Sequence, residues 1–370
     1  MMPQAAFLLV SCALWVTPPA KAETFRVDDV TFAYRLPQQN PPSIPNSSFL
    51  IPLPSSPRVM VLFGGRDWLG ERTLEAYAFE RLADRHGLIL LAPSFCEGDY
   101  WEPEGGSGDT LRKAVAQVCA LAGLPVGDTP AELYLYGYSA GGQCAGLFYA
   151  WMPDEVAAWG AHACGVFGKP SKMKQKAGKR LAPALVSCGT GDAERHAISR
   201  QFAYTYREAG GDLLWKPFAG QDHALTRDAL ALAEAWFDAI LSGEDIRFIG
   251  EDDTRRVLPA SEAERIDIEF RNPLANEAVR DLWSGQKGMS NIQHGISNIQ
   301  VKCAMGEVSH EGTKGRKGMT LKTLCPLCLC VRPSQVVAPK HTPTWTLDIP
   351  CWILDIHSLR VRHHSPVTRN

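Results

Sequence analysis

Gly137-Tyr138-Ser139-Ala140-Gly141 is the run of this sequence whose residue types suit covalent catalysis. It has the form G-x-S-x-G, directly after an apolar run, Glu132 to Tyr136, and directly before a segment that reads as a helix from Gly141 to about Met152. A serine on so sharp a strand-to-helix turn projects its hydroxyl clear of its neighbours, and small residues two before and two after it permit tight backbone approach. Gly142 extends that allowance. A serine hydroxyl is a weak nucleophile at neutral pH. Attack on a carbonyl therefore needs an imidazole to take the proton, a carboxylate to orient that imidazole, and donors for the oxyanion that forms. A Gly-rich turn that binds phosphate, or only reverses the chain, is the bland reading of the same residues.

Groups this demanding need a rigid frame, and the flanking sequence supplies one. From about Thr24 to Ser242 short apolar runs alternate with longer amphipathic segments. Strands are expected at Arg58–Phe63, Leu88–Ala92, Glu132–Tyr136, Val156–Ala161, Ala184–Cys188 and Leu213–Phe218. Helices are expected at Leu69–His86, Gly108–Leu124, Gly141–Met152, Ala197–Ala209 and Ala224–Leu241. Phe25 to Leu36 reads as one antiparallel strand, and the proline-rich stretch Pro37 to Pro45 as a connection. Such alternation predicts an α/β fold, a mostly parallel sheet with helices on both faces.

The elbow in this setting resembles the α/β-hydrolase superfamily, over roughly Thr24 to Gly243. Members carry the triad in the order serine, acid, histidine. The resemblance implies an acid after the second strand beyond Ser139, and Asp192 in Cys188-Gly189-Thr190-Gly191-Asp192 stands there, with Glu194 as its nearest competitor. It also implies a histidine after the last strand, and His223 in Ala219-Gly220-Gln221-Asp222-His223 stands there. For the oxyanion hole it implies the Ala140 amide and a second donor, Gly65 or Arg66, from Phe63-Gly64-Gly65-Arg66-Asp67-Trp68, where Phe63 takes the place of the family's histidine.

The other histidines fit the base less well. His86 precedes a strand, on the wrong side of the sheet, and His196 lies in a helix start beyond the acid. His162, near the end of the strand after the elbow helix, is either packed or faces substrate. Tyr138 and Trp101 are the remaining pocket candidates, with Tyr100 and Glu102 beside Trp101; an aromatic loop covering the core is an equal reading of the latter group. Between Cys164 and Leu181 a short Lys-rich connection occupies the place where many lipases carry a lid, which implies an open or shallow site with a solvated basic face.

The bulk numbers exclude more than they assign. The chain has 370 residues, 45% hydrophobic and 21% charged, with a formal net charge of -2, so no whole-chain basic field draws nucleic acid. An apolar run from Ala5 to Val16, Pro18-Pro19, then Ala20-Lys21-Ala22 reads as a signal peptide over residues 1–22, too short to span a bilayer. Export to the periplasm or medium follows, with no membrane span once the signal is removed. Of eleven cysteines, Cys96, Cys119, Cys144, Cys164 and Cys188 fall in the hydrolase-like region, an odd number that leaves room for a disulfide without defining one. Residues 244–283 read as an extension packed on the 23–243 catalytic domain, with Ile266-Asp267-Ile268-Glu269-Phe270 as an edge strand. From 284 to 370 the chain turns largely basic and loses periodicity, and Ser290-Asn291-Ile292-Gln293 recurs as Ser297-Asn298-Ile299-Gln300; a poorly ordered tail is expected. Cys325 and Cys328 form a C-x-x-C step with no second one, so no metal is expected.

These readings converge on a secreted serine hydrolase that acts through an acyl-enzyme on Ser139 and needs no cofactor, its substrate a small-molecule or polymeric ester. By resemblance it is similar to carboxylesterases of the feruloyl-esterase or polyhydroxybutyrate-depolymerase-like type. The alternatives are a serine peptidase of the prolyl-oligopeptidase type, although no propeller-like repeats precede the domain, and a non-catalytic binding protein on a hydrolase scaffold.

Overall fold

The structure, a computed structural model, describes residues 22–38, 56–96, 100–124, 131–177 and 180–285. Most of the expected signal peptide, most of the proline-rich connection and the tail beyond 285 lie outside the described residues.

The strands are β1 (Glu23–Val27), β2 (Val30–Arg35), β3 (Arg58–Phe63), β4 (Ile89–Pro93), β5 (Glu132–Tyr138), β6 (Val156–His162), β7 (Ala184–Gly189) and β8 (Leu213–Phe218). Between and after them run α1 (Gly70–Tyr77), α2 (Glu80–His86), α3 (Ser107–Leu121), α4 (Ala140–Trp151), α5 (Pro170–Ala177), α6 (Ala193–Glu208) and α7 (Arg227–Leu241). The eight strands form one sheet in the order β1-β2-β4-β3-β5-β6-β7-β8. β2 runs antiparallel to β1 and β4, and from β4 to β8 all pairs are parallel.

The continuous apolar runs have a simple cause: both faces of the sheet are covered. Val59, Val61 and Phe63 point to one face with α3, α4 and α6, while Met60 and Leu62 point to the other with α1, α2 and α7. Register then aligns the C-terminal strand ends: Phe63 pairs with Gly137, Tyr138 with His162, and Gly189 with Phe218. The loops after β3, β5, β7 and β8 therefore leave from one rim of the sheet, where open α/β sheets place their sites.

Three expectations are corrected. The single strand from Phe25 to Leu36 is a hairpin, turned at Asp28-Asp29, with Asp28 at φ 50° and tied to Thr110 and Lys113 of α3. The helix from Leu69 to His86 breaks at Ala78 (φ 53°, ψ 41°). Tyr77 and Phe79 both pack on Tyr136, with ring centroids at 5.4 and 5.7 Å; residues two apart cannot share one helix face, so the chain turns between them. Finally, Ile268–Phe270 is a 3-10 turn, because its alternation does not face one core: Ile266 is 1% exposed and Ile268 47%. The edge strand comes next, at Arg271–Leu274.

That strand belongs to a second, three-stranded sheet of β9 (Phe248–Glu251), β10 (Val257–Pro259) and β11 (Arg271–Leu274), followed by α8 (Glu277–Ser284). β8 is the last strand of the main sheet, and an edge strand exposes unpaired backbone groups. Here Asn272 Oδ1 accepts the Trp215 N–H at 2.7 Å, and Arg207 Nε donates to the Leu213 carbonyl at 2.9 Å. The edge of β8 is thus closed by side chains. Arg207, itself buried, is balanced by Asp252 at 2.7 Å and by Asn272 Oδ1 at 2.7 Å.

Candidate active site

Ser139 sits at φ 57°, ψ -120°, between β5 and α4. Positive φ is costly for a residue with a Cβ, of the order of 1–3 kcal/mol, and persists only where surroundings impose it. They do so by close packing. A Cβ on Gly137 would stand 2.0 Å from the Gly141 carbonyl oxygen, and one on Gly141 would stand 2.1 Å from the Phe63 carbonyl oxygen. Both glycines of G-x-S-x-G are therefore sterically required, and the contact presses the loop after β3 against the elbow. The Ser139 N–H is held by the His162 carbonyl at 2.9 Å.

The loops after β7 and β8 are joined in the same way. Thr190 N–H donates to the Phe218 carbonyl (2.9 Å), Gly191 N–H to the Gln221 carbonyl (2.8 Å), and Gly220 N–H to Thr190 Oγ1 (2.8 Å). A Cβ at Gly189 would lie 2.1 Å from the Gln221 carbonyl oxygen, and one at Gly191 would lie 2.3 Å from Asp222 Oδ1. The run Cys188-Gly189-Thr190-Gly191-Asp192 is glycine-rich because another loop lies against it.

This packing brings together three side chains far apart in sequence. Ser139 Oγ is 2.8 Å from His223 Nε2, across 84 positions, and His223 Nδ1 is 2.6 Å from Asp192 Oδ2, across 31. The Asp192 carboxylate is 7% exposed, while the His223 ring is 34% exposed and open to an incoming molecule. Asp192 also meets Arg195 Nη1 at 3.2 Å through Oδ1. The competing Glu194 is exposed. With Nδ1–H donated to the carboxylate, Nε2 is left as acceptor for the serine proton, the arrangement that nucleophilic acyl transfer requires.

Ala140 opens α4, so its N–H, like others of a first helical turn, has no intrahelical acceptor. Gly65 and Arg66 form a turn closed by Trp68 N–H to the Gly65 carbonyl (3.1 Å), with Asp67 at φ 61°. A Cβ on Gly65 would be 3.3 Å from the Tyr138 ring, which puts this turn beside the elbow.

The histidine left with two readings is the packed one. His162 is 1% exposed, its Nδ1 at 2.8 Å from Ser187 Oγ and its Nε2 at 2.9 Å from the Ala224 carbonyl. A carbonyl only accepts, so Nε2 carries the proton and Nδ1 accepts from Ser187. Burial pushes its pKa down to about 4. As a substrate-pocket residue His162 is thus corrected: it is a strut that holds Ala224, next to His223. His86 is likewise committed, to Asp238 at 2.7 Å, and His196 lies against Trp215.

A small cleft, with room for about one water molecule, lies beside the elbow, lined by Gly64, Gly65, Trp68, Phe95, Tyr100 and Cys144, with Phe63 and Pro93 completing it. Tyr100 stacks on Phe95 at 5.5 Å, and burial pushes its phenol up to about 12. Trp101 stands edge-on to Tyr100 at 4.7 Å and supports this wall without lining the cleft. Tyr138 is stacked between His162 and His223, at 5.9 and 5.3 Å, and its hydroxyl donates to the His223 carbonyl at 3.1 Å. Sequence reasoning missed Trp68, Phe95 and Cys144 because the wall draws on two separate loops and helix α4. The Lys-rich connection contains α5, anchored by the buried Met173, with Lys172 and Lys174 exposed.

Cys96, Cys119, Cys144, Cys164 and Cys188 are all free thiols, and burial pushes Cys164 and Cys188 up to about 12. Among the described residues no cluster of His, Cys, Asp or Glu suits a metal ion, and no helix is long and apolar enough to cross a membrane.

The strand order, the antiparallel β2 and the elbow after β5 define an α/β-hydrolase fold. No protein-family profile matches the sequence, and no curated protein matches it. Among solved structures the chain is similar to esterase PE8, with 21% identity over 50% of this chain and 93% of that one, at a TM-score of 0.40. It is similar too to FphF, a fluorophosphonate-binding serine hydrolase of Staphylococcus aureus, with 15% identity over 60% and 96% of the two chains and a TM-score of 0.43. A third likeness is to a Pyrobaculum calidifontis esterase, with 14% identity over 61% and 86% and a TM-score of 0.44.

Proposed function

We propose that the chain is a serine hydrolase that cleaves carboxylic esters through an acyl-enzyme. The observation that carries this reading is the continuous hydrogen-bonded path from Ser139 Oγ through His223 to Asp192, at 2.8 and 2.6 Å. In the reaction Ser139 Oγ attacks the ester carbonyl while its proton passes to His223 Nε2, and Asp192 stabilises the imidazolium. The oxyanion is held by the Ala140 amide and by an amide of the Gly65-Arg66 turn, each worth roughly 3 kcal/mol in the transition state. His223 returns the proton to the leaving alcohol. Water then attacks the acyl group by the same route, with His223 as base, and frees the serine.

Ester rather than amide cleavage is favoured by the cleft beside the elbow. Its walls are aromatic and thiol and contain no charged side chain to fix a peptide terminus. The leader sequence supports export to the periplasm or medium.

Labelling by a fluorophosphonate probe tests the reading, with Ser139→Ala as the control. The wild type is expected to label and to turn over p-nitrophenyl acetate, and the variant to do neither. A properly folded wild type that never labels would indicate a binding protein, and aminoacyl amide cleavage without ester preference would indicate a peptidase.

A further inference from the structure

The acid of this site is held unusually. Asp192 caps α6, yet its side chain accepts no amide from the first helical turn. Its two carboxylate oxygens go instead to two side chains: Oδ2 to His223 Nδ1 at 2.6 Å, and Oδ1 to Arg195 Nη1 at 3.2 Å. At 7% exposure the carboxylate has little water to call on, so the orientation of Oδ2 depends on what fixes Oδ1. Arg195 is placed for that task. Three residues on from Asp192 it lies on the same helical face, and its stem crosses the loop after β6 at Gly165, where an added Cβ would stand 3.4 Å from Arg195 Cγ.

We propose that Arg195 is a positioning residue: its guanidinium clamps Oδ1 of Asp192 so that Oδ2 faces His223. This deepens the esterase reading, since it assigns the control of that site's own base. The groups facing the pair leave the effect with Arg195. His162, from β6, is neutral at neutral pH because burial holds it near 4. Cys188, at the end of β7, is a neutral thiol, pushed up to about 12 by burial and then by Asp192. Tyr138, from β5, stacks on His223, and Asp222 lies over Gly191 with its carboxylate exposed. Arg195 is thus the cation in contact with the pair. Its removal leaves Oδ1 without that side-chain partner, so the carboxylate is free to turn Oδ2 away from His223.

The test is the NMR signal of the His223 Nδ1 proton in the full-length chain, labelled at histidine and assigned by its loss in His223→Gln; the proton is protected from exchange only while Asp192 Oδ2 holds it. Arg195→Gln, whose side chain is two bonds shorter, is expected to broaden or lose this signal, while Arg195→Lys keeps it. For p-nitrophenyl acetate, kcat of Arg195→Gln is expected to be about tenfold lower with KM within about twofold, and Arg195→Lys to recover most of it. A proton signal unchanged in Arg195→Gln, or lost equally in Arg195→Lys, overturns the proposal. So does a KM that rises while kcat holds, which would make Arg195 a substrate ligand. The signal needs no turnover, so a wild type without esterase activity defeats the functional reading alone and leaves the clamp measurable.

Discussion

Thr190 Oγ1 accepts the Gly220 amide at 2.8 Å, and this side-chain bond, beside the backbone bond from Gly191 N–H to the Gln221 carbonyl, ties the loop that carries Asp192 to the loop that carries His223. Neither Thr190 nor Gly220 takes part in the proton path. Both loops leave adjacent parallel strands, β7 and β8, and these cross-ties keep the base from sampling positions away from Oγ.

Thr190→Val removes the acceptor and keeps the shape. Loss of alignment at the reacting centre affects the transition state more than binding, so kcat is expected to fall about tenfold with KM changed by less than about threefold. The stability loss should be about 1 kcal/mol. Steady-state ester hydrolysis and urea unfolding measure the two effects, and Thr190→Ser should restore activity.

What was legible in the sequence was local. Gly137 and Gly141 announce their turn because they fall, with Ser139, in one five-residue pattern, and the clash that forbids a Cβ on Gly137 lies within the elbow itself; that of Gly141 lies on Phe63 of the neighbouring strand. Gly189 and Gly191 look like an ordinary loop, since what forces them to be glycine is backbone some thirty positions further on, at Gln221 and Asp222. The strand cores followed from unbroken apolar runs, whereas the break at Ala78 depended on Tyr136, a partner on another element. Arg195 carried a faint signal, a cation three residues after the acid in a helix start. Cys144 carried none beyond its place on the elbow helix.

Asn272 is the most heavily used buried amide of the second sheet. Its Oδ1 takes Trp215 N–H and Arg207 Nη2, both at 2.7 Å, and its Nδ2 reaches Asp252 Oδ1 at 2.5 Å. Asn272→Leu would strand a backbone donor of β8 and part of a buried guanidinium. A loss of about 3–5 kcal/mol in urea unfolding is expected, the range for breaking a buried charged network. A loss below about 1 kcal/mol would show that the edge of β8 does not need this cap.

His162 gives the fold a pH dependence with a definite sign. Its folded value of about 4 lies below the ordinary 6.5 because burial disfavours the cation. Between those values the unfolded chain binds a proton that the folded chain excludes. The stability from this site is therefore complete above pH 6.5 and is lost as pH falls towards 4, by about 3 kcal/mol in all. His162→Gln removes the titration, so the stability gap between wild type and variant should narrow steadily over that interval. A gap that stays constant from pH 7 to pH 4 would contradict it.

Cys144 tests the acyl cleft. The residue lies one turn into α4, 1% exposed, with Phe63, Phe95 and Tyr100 around the same space. Burial pushes its thiol well up, so it acts as a small apolar wall rather than a nucleophile. Cys144→Ala deepens the cleft by one sulfur atom, room for about one more methylene. Since a buried methylene is worth about 0.8 kcal/mol, kcat/KM for p-nitrophenyl butyrate relative to the acetate should rise about fourfold. The same ratio in both proteins would mean that the acyl group lies elsewhere.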